Sequence, residues 1–220
     1  MIKIERVQVM NFENAIRGAR NPMNSWDRMD SYTDEKGNFV FGKNDMALTQ
    51  KLCRGGQPHR KFARQIFVTM DITAPLYWWK EFDTYKVGTV ANSTSTMHKI
   101  HSKPIECSDF SCEKLSDESK QTFETFVAYI EKVRGKYVED KNKADWYEII
   151  QMLPSSYNQT RTCTMNYETL IIMHEWRHNH KLDEWREFCA EVEKLPYFVE
   201  MFELDKPKQA EAAASNQHAM

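Results

Sequence analysis

The sequence predicts an α+β protein that forms a single domain. Two segments, residues 2–10 and 65–72, alternate apolar and polar side chains as half-buried strands do. The other periodic segments repeat their apolar residues at helical spacing, and they outnumber the strands. A doubly wound parallel sheet would require strands and helices to alternate regularly along the chain, and the predicted elements do not alternate in this way. At 220 residues it has the length of one ordinary domain.

The N-terminal half begins with the strand predicted over residues 2–10. Residues 20–44 contain Asn, Asp, Gly and Pro with little periodicity, which predicts a loop or a lid. A short helix is predicted over residues 44–53, because Asn and Asp at its start are good caps. The second strand, residues 65–72, is rich in β-branched side chains.

The C-terminal half is predicted to be mainly helical. Pro75 opens an aromatic helix, PLYWWKEFDTYK, at a first-turn position where the missing N–H costs nothing. Its aromatic residues Tyr77, Trp78, Trp79 and Phe82 are expected to lie mostly in the core. Further helices are predicted over residues 117–134, 142–152, 164–181 and 183–195. We expect a domain of residues 1–205, followed by a small, polar tail, residues 206–220, that is disordered.

The composition excludes several classes of function. Thirty basic against thirty-two acidic side chains give a net charge of −2, so no global attraction to nucleic acid or anionic membrane is expected. No apolar run approaches the roughly 18 residues of a spanning helix, and the first residues lack a secretory pattern. The five scattered cysteines favour reduced, mostly buried thiols. We therefore expect a cytoplasmic protein that binds neither a nucleic-acid polymer nor a membrane.

One short motif matches a metal-binding pattern. Residues 174–178, HEWRH, fit H-E-x-x-H, in which two histidines one turn apart share Zn²⁺ and the glutamate activates a bound water. Arg177 would lie between the two ligands, where its charge opposes a divalent cation, and His180 points to a different face. We predict no metal site and keep a zinc hydrolase as a disfavoured alternative. The favoured structure is a helix that packs Leu170, Ile171 and Met173 inward and leaves its histidines partly exposed.

A longer pattern includes the same helix. Leu153-Pro154 is followed by Asn166, twelve residues after the proline, and by Arg177, eleven residues further on. This spacing resembles that of the flavin-dependent thymidylate synthases. The resemblance implies that Asn166 opens a helix beside the flavin. It also implies that Arg177 contacts the pyrimidine of dUMP and stabilises the charge that builds on it.

A second segment carries the same resemblance. Residues 85–98, YKVGTVANSTSTMH, lie where that family has R-H-R-x-x-S-x-N-E-x-S-x-R-Y, and Asn92 and Ser95 match its asparagine and second serine. Gly56 and His59 are looser counterparts of an upstream glycine–histidine segment. By this resemblance Asn92 and Asn166 bind FAD, whereas Ser95 and Arg177 bind dUMP or a related pyrimidine nucleotide. The implied structure is a mixed sheet with packed helices, assembled into a homotetramer.

The chain also departs from the family pattern at its charged positions. Tyr85, Lys86 and Val87 stand where the family has Arg, His and Arg, and Ile150 and Glu168 replace two further arginines. The usual cationic contacts to the phosphates are therefore largely missing. The basic residues that can compensate are Lys86, Arg54, Arg60, Arg64 and Arg161.

The resemblance implies an enzyme that methylates C5 of dUMP. Methylenetetrahydrofolate would supply the carbon, reduced FAD the hydride and NADPH the reducing equivalents, with Arg177 as the catalytic residue acting through electrostatics. Two alternatives stay open: a related flavoenzyme that modifies another pyrimidine nucleotide, and a non-catalytic nucleotide-binding homologue. Each retained residue also has a structural explanation. Asn166 can cap a helix, Ser95 can bond its own backbone, and Arg177 can be an ordinary surface arginine.

Overall fold

This computed structural model describes residues 2–204, and within them the chain forms six strands and nine α-helices. The strands are β1 (Lys3–Met10), β2 (Tyr32–Thr33), β3 (Phe39–Val40), β4 (Phe67–Pro75), β5 (Val90–Ser93) and β6 (Asn158–Asn166). The helices are α1 (Phe12–Ala19), α2 (Lys43–Arg54), α3 (Leu76–Phe82), α4 (Thr96–Lys99), α5 (Asp117–Asp140), α6 (Lys143–Met152), α7 (Tyr167–Arg177), α8 (Asp183–Glu193) and α9 (Phe198–Phe202). The tail of residues 206–220, predicted to be disordered, lies outside the described residues.

Four of the strands form one sheet in the order β1-β4-β6-β5. The α+β class and the single domain are confirmed, but the described strands pair antiparallel throughout rather than in a mixed sheet. The reason is that each strand enters the sheet where its neighbour leaves it. Phe67, which starts β4, pairs with Met10 at the end of β1, and Asn158, which starts β6, pairs with Pro75 at the end of β4.

The two faces of β4 show why the sheet has an inside and an outside. Its inner side chains are fully buried, and they are Val68, Met70, Ile72 and Ala74. Thr69 and Thr73 point the other way and hydrogen-bond Thr164 and Thr160 of β6, at 3.0 and 2.7 Å between the hydroxyl oxygens. Apolar residues therefore face the helices, while the second face is polar and partly exposed.

The helices cover the inner face with aromatic side chains. Trp78, Trp79 and Phe82 of α3 are buried, and Trp78 and Phe82 pack with Trp185 and Phe188 of α8. This confirms the core position predicted for the aromatic helix, although Pro75 caps α3 rather than occupying its first turn. The cysteines are free, as predicted, with three of the five buried. Within the described range, no helix is both long and apolar enough to cross a bilayer.

A second group of buried apolar residues lies under α5 and α6. It consists of Ile100, Ile105, Phe110, Val127, Ile130, Val133 and Ile149. Helix α5 is longer than predicted because it extends to Asp140. It ends where Lys141 takes a left-handed conformation with φ 56°, a common geometry just after a helix.

The helix predicted over residues 164–181 is wrong at both ends. Strand β6 extends to Asn166, so α7 begins only at Tyr167, and α7 ends at Arg177. The sequence of β6, NQTRTCTMN, does alternate, but its outward residues are threonines and only Cys163 and Met165 provide buried apolar side chains. The loop predicted over residues 20–44 contains the small β2–β3 hairpin.

Candidate functional site

The structure places three of the four predicted site residues at the two ends of the β5–β6 pair. Asn92 lies on the edge strand β5 opposite Thr162, and Ser95 follows that strand as the N-cap of α4. Asn166 ends β6, four residues beyond Thr162. At about 3.3 Å per residue, that separation is about 13 Å along the strand. Asn92 and Ser95 are therefore neighbours, whereas Asn166 belongs to a different part of the surface.

Asn166 is the N-cap of α7 and is only 8% exposed. Its Oδ1 accepts a hydrogen bond of 2.9 Å from the backbone N–H of Thr169. Gly88, with φ +76°, lies so close that a Cβ there would be 2.7 Å from Asn166 Nδ2. The carbonyl of Val87 accepts from the Thr169 hydroxyl at 3.2 Å. The turn at Val87 and Gly88 therefore closes over the first turn of α7, and Asn166 acts as a helix cap.

Ser95 and Asn92 are more accessible. The hydroxyl oxygen of Ser95 accepts a hydrogen bond of 3.1 Å from the backbone N–H of His98, so the serine caps α4. A hydroxyl that accepts in this way still has its own proton to donate. Asn92 is exposed on β5. This edge of the sheet therefore presents neutral hydrogen-bonding groups.

Arg177, the predicted catalytic residue, is held within its own chain. Its Nε donates to the hydroxyl of Tyr85 at 2.9 Å, and its Nη1 donates to Glu81 Oε2 at 2.7 Å. The guanidinium carbon lies 4.8 Å from the centre of a Trp185 ring. With a side chain only 19% exposed, Arg177 is not an ordinary surface arginine. Glu81 neutralises its charge.

Glu81 is the centre of this network, although no role was predicted for it from the sequence. The same oxygen, Oε2, also accepts from Trp185 Nε1 at 3.0 Å and lies 3.4 Å from His180 Nε2. Tyr85 takes part as well, from a position where the family resemblance implies an arginine. A carboxylate that gathers several donors holds them in fixed positions. One signal was available in the sequence, since a tyrosine stands in place of a cation four residues after the acidic Glu81.

The HEWRH segment does not support the zinc alternative. His174 Nε2 lies 2.7 Å from Glu193 Oε1, and His178 Nδ1 lies 2.9 Å from the carbonyl oxygen of His174. Within residues 2–204, no three His, Cys, Asp or Glu side chains are grouped to hold a metal ion. His174 is only 8% exposed, which corrects the expectation of partly exposed histidines for this residue, whereas His178 is exposed. Leu170, Ile171 and Met173 pack inward as predicted.

The basic residues expected to replace the family's phosphate contacts are mostly paired. Arg60 lies 2.8 Å from the carboxylate of Glu168, and burial raises the pKa of that carboxyl above its usual value although Arg60 opposes the shift. Arg161 binds Asp83 at 2.7 Å and lies over the ring of Trp79. Arg54 binds Glu203 at 2.6 Å. Three of the five candidates are therefore neutralised by carboxylates.

These contacts decide how well FAD fits the predicted positions. A dinucleotide diphosphate is best held by free cations or unbonded backbone N–H groups. Asn166 caps its own helix and is covered by Gly88, while Asn92 is a neutral amide. The residues present do not fit the diphosphate in the way that the resemblance implies.

Comparisons with known proteins identify the fold. No family model and no curated protein matches this chain. It is similar to the solved structure of thymidylate synthase X (ThyX) from Helicobacter pylori with FAD and dUMP, at a TM-score of 0.65 and 15% identity, over 92% of this chain and 97% of that one. A second structure of the flavin-dependent thymidylate synthase ThyX from Helicobacter pylori, complexed with FAD and dUMP, has a TM-score of 0.63 and 16% identity, over 90% and 97%. The chain therefore has a ThyX-like fold.

Proposed function

We propose that this chain binds a pyrimidine nucleotide, dUMP or a close relative, on its ThyX-like fold. The observation that carries the proposal is the extent of the similarity. The structural similarity extends over nearly the whole length of both chains. The similar structures contain bound dUMP. Asn92, Ser95 and Arg177 are the proposed contact residues, whereas Asn166 contributes as the buried cap of α7. Binding of a nucleic-acid polymer is not part of the proposal.

Arg177 retains the means to bind a nucleotide. A guanidinium has five N–H donors, and the contacts to Tyr85 and Glu81 occupy two of them. The remaining donors can reach a carbonyl oxygen of the pyrimidine while Glu81 holds the group in place. Ser95 can donate its hydroxyl proton to a phosphate oxygen, and Asn92 offers an exposed amide. We propose recognition by hydrogen bonds with little net positive charge.

Methylation of C5 of dUMP is the finer proposal, and the Glu81 contact weighs against it. In that reaction Arg177 would stabilise negative charge developing on the pyrimidine, with methylenetetrahydrofolate and NADPH as co-substrates. A guanidinium already paired with a carboxylate at 2.7 Å stabilises a new anion less, because the two charges largely cancel. We therefore place nucleotide binding ahead of methyl transfer. Modification of another pyrimidine nucleotide remains the second candidate for an enzyme.

Assembly into a homotetramer is a further part of the proposal. Three exposed apolar side chains lie on the sheet, Met10 on β1, Phe67 on β4 and Val90 on β5, with exposed fractions between 42% and 68%. Met10 and Phe67 are direct cross-strand neighbours, and β6 lies between Phe67 and Val90. Clustered apolar side chains on a surface favour association. Light scattering at micromolar concentration should give about four times the mass of 26.1 kDa. If light scattering gave the mass of a monomer, the proposed tetramer would be wrong.

A cytoplasmic location stays a prediction of the sequence.

Calorimetric titration of the purified chain with dUMP tests the proposed function. We expect saturable binding of dUMP and much weaker binding of AMP, with a loss of affinity in Ser95→Ala and Asn92→Ala. Absence of dUMP and dCMP binding would contradict the proposal. The visible spectrum of the same preparation distinguishes the alternatives, since bound oxidised flavin supports a flavoenzyme and a colourless protein that binds dUMP supports a binding homologue.

A further inference from the structure

A cavity of about 700 Å³ opens beside β1, at the edge of the sheet away from β5. Two strands, β4 and β6, separate the two edges, which at about 4.8 Å per strand spacing are about 14 Å apart. The cavity is therefore distinct from the proposed nucleotide site. Its volume lies within the range of small-molecule sites, roughly 300–1,000 Å³.

A β-bulge shapes the floor of this cavity. The pairing of β1 with β4 shifts between Glu5 and Gln8, and Arg6 has a positive φ of 52°. Val7, from the bulge, and Met70, from β4, both line the cavity. A bulge adds a residue to one strand and redirects its side chains, and such features recur beside binding sites. Here it opens space beneath the strand edge.

Aromatic side chains form the walls. The rings of Phe12 and Phe39 stack with centroids 5.1 Å apart and planes 10° from parallel. Tyr197 meets both rings edge-on, at 5.8 and 6.3 Å, and its hydroxyl donates to the carbonyl oxygen of Phe39 at 2.9 Å. The wall is thus fixed by packing and by a hydrogen bond. Aromatic walls suit a flat apolar ligand and attract a cation.

The charge at the mouth is negative. Glu13 accepts a hydrogen bond of 2.7 Å from the hydroxyl of Thr33 through Oε2, and this partner carries no charge. The two other charged residues of the lining, Glu191 and Lys194, pair with each other at 2.5 Å. One net negative charge therefore remains beside the aromatic wall.

We propose that this cavity binds a small aromatic cation. The flat ring of the ligand packs against Phe39 and Tyr197, and its cationic group lies against the carboxylate of Glu13. A neutral ring of the same shape loses the charge contact, and an anionic one is repelled. Because the cavity does not include Asn92, Ser95, Asn166 or Arg177, this inference stands independently of the proposed nucleotide site.

Calorimetry on the full chain with three matched probes tests the proposal. The probes are benzamidinium, benzamide and benzoate, which share a ring and differ in charge. We expect the affinity to fall in that order, with benzamidinium at least about tenfold above benzoate. Glu13→Gln should reduce benzamidinium binding about tenfold and leave benzamide unchanged, whereas Glu118→Gln, on α5, should change neither.

A second variant tests the location. Val7→Trp fills the space at the bulge and should abolish binding of benzamidinium and benzamide together, while dUMP binding is unchanged. Folding is checked by far-ultraviolet circular dichroism and by thermal unfolding. The proposal is overturned if no probe binds the wild-type chain, if benzoate binds as tightly as benzamidinium, or if Glu13→Gln leaves the affinity for benzamidinium unchanged.

Discussion

The two ends of helix α7 carry residues of the same family pattern but differ in their surroundings. At the N-terminal end, Asn166 makes neutral hydrogen bonds under the turn at Gly88. At the C-terminal end, about 16 Å away for a helix of this length, Arg177 makes charged contacts with Glu81 beside Trp185. Spacing along a helix fixes where two side chains lie. What each side chain can bind depends on its contacts with other elements. Here both Asn166 and Arg177 already have hydrogen-bond partners within the chain.

The largest loss of stability is expected at Gly88, where the backbone passes close to the first turn of α7. Gly88→Ala should lower the free energy of unfolding by about 2–3 kcal/mol, because alanine at φ +76° is strained and its Cβ would also meet Asn166 and Thr169 at 2.7 and 2.9 Å. Gly56→Ala is the matched control, since Gly56 has φ +79° with nothing within 4 Å, and should cost only about 1 kcal/mol. Urea unfolding measures both. Equal losses would show that the close approach at Gly88 is unimportant.

The charged end is tested by a double-mutant cycle on Arg177→Met and Glu81→Gln. The coupling energy from thermal unfolding should be about 1–2 kcal/mol, because the pair is largely shielded from water. The control cycle uses Arg54→Met and Glu203→Gln, an exposed pair whose coupling should be about 0.5 kcal/mol or less. If both cycles gave the same value, Glu81 would not hold Arg177 more firmly than a surface contact does.

Substitution at the N-terminal end of α7 should reduce stability less. Asn166→Ala removes the N-cap of α7 and should cost about 1 kcal/mol, since the N–H of Thr169 loses its acceptor in a buried position. Asn142→Ala removes the exposed cap of α6, where water replaces the side chain, and should cost about 0.5 kcal/mol. Chemical denaturation of the two variants compares them. A larger loss at Asn142 would argue against the buried cap.

The smallest expected effect is a pH dependence of folding stability caused by Glu168, in the first turn of α7. Burial raises the pKa of Glu168 above its usual value of 4.5. The folded state therefore keeps this proton to higher pH than the unfolded state does. The stability of the wild type relative to Glu168→Gln should fall as pH rises from below 4.5 through the raised pKa. Unfolding measured across this range tests the sign, with the more exposed Glu175→Gln as control. If the stability of the wild type relative to Glu168→Gln stayed constant or rose with pH, the predicted sign would be wrong.

Much of the fold could be predicted from the sequence because its signals are local. The strand at β4 and the helices α2, α3, α5, α6 and α8 each have an apolar period or a cap within the segment itself. The strands β5 and β6 were missed. β5 is short and exposed at all four residues, and the outward positions of β6 are asparagine and threonine, so neither segment is distinguished from a polar loop. Sheet pairing with β4, rather than local pattern, makes β6 a strand.

The site was predictable only in part for a similar reason. The spacing from Asn166 to Arg177 does correspond to the N-cap and the last residue of one helix, α7. The contact with Glu81 joins residues 96 positions apart, and no pattern within the helix indicates it. The burial of His174 against Glu193 was missed in the same way. Long-range pairing decides which retained side chains are available to a ligand.

Binding of dUMP to Arg177→Ala and Glu81→Gln tests most directly the claim that Arg177 contacts the nucleotide while Glu81 neutralises it. Calorimetry should show that Arg177→Ala weakens dUMP binding about tenfold or more, because charge-assisted hydrogen bonds are lost. Glu81→Gln should tighten it, because the anionic nucleotide then meets an uncompensated guanidinium. Both variants must first be shown to be folded at the temperature of the titration. Unchanged dUMP affinity in both variants would contradict the account, and weaker binding in Glu81→Gln would show that Glu81 serves only to position Arg177.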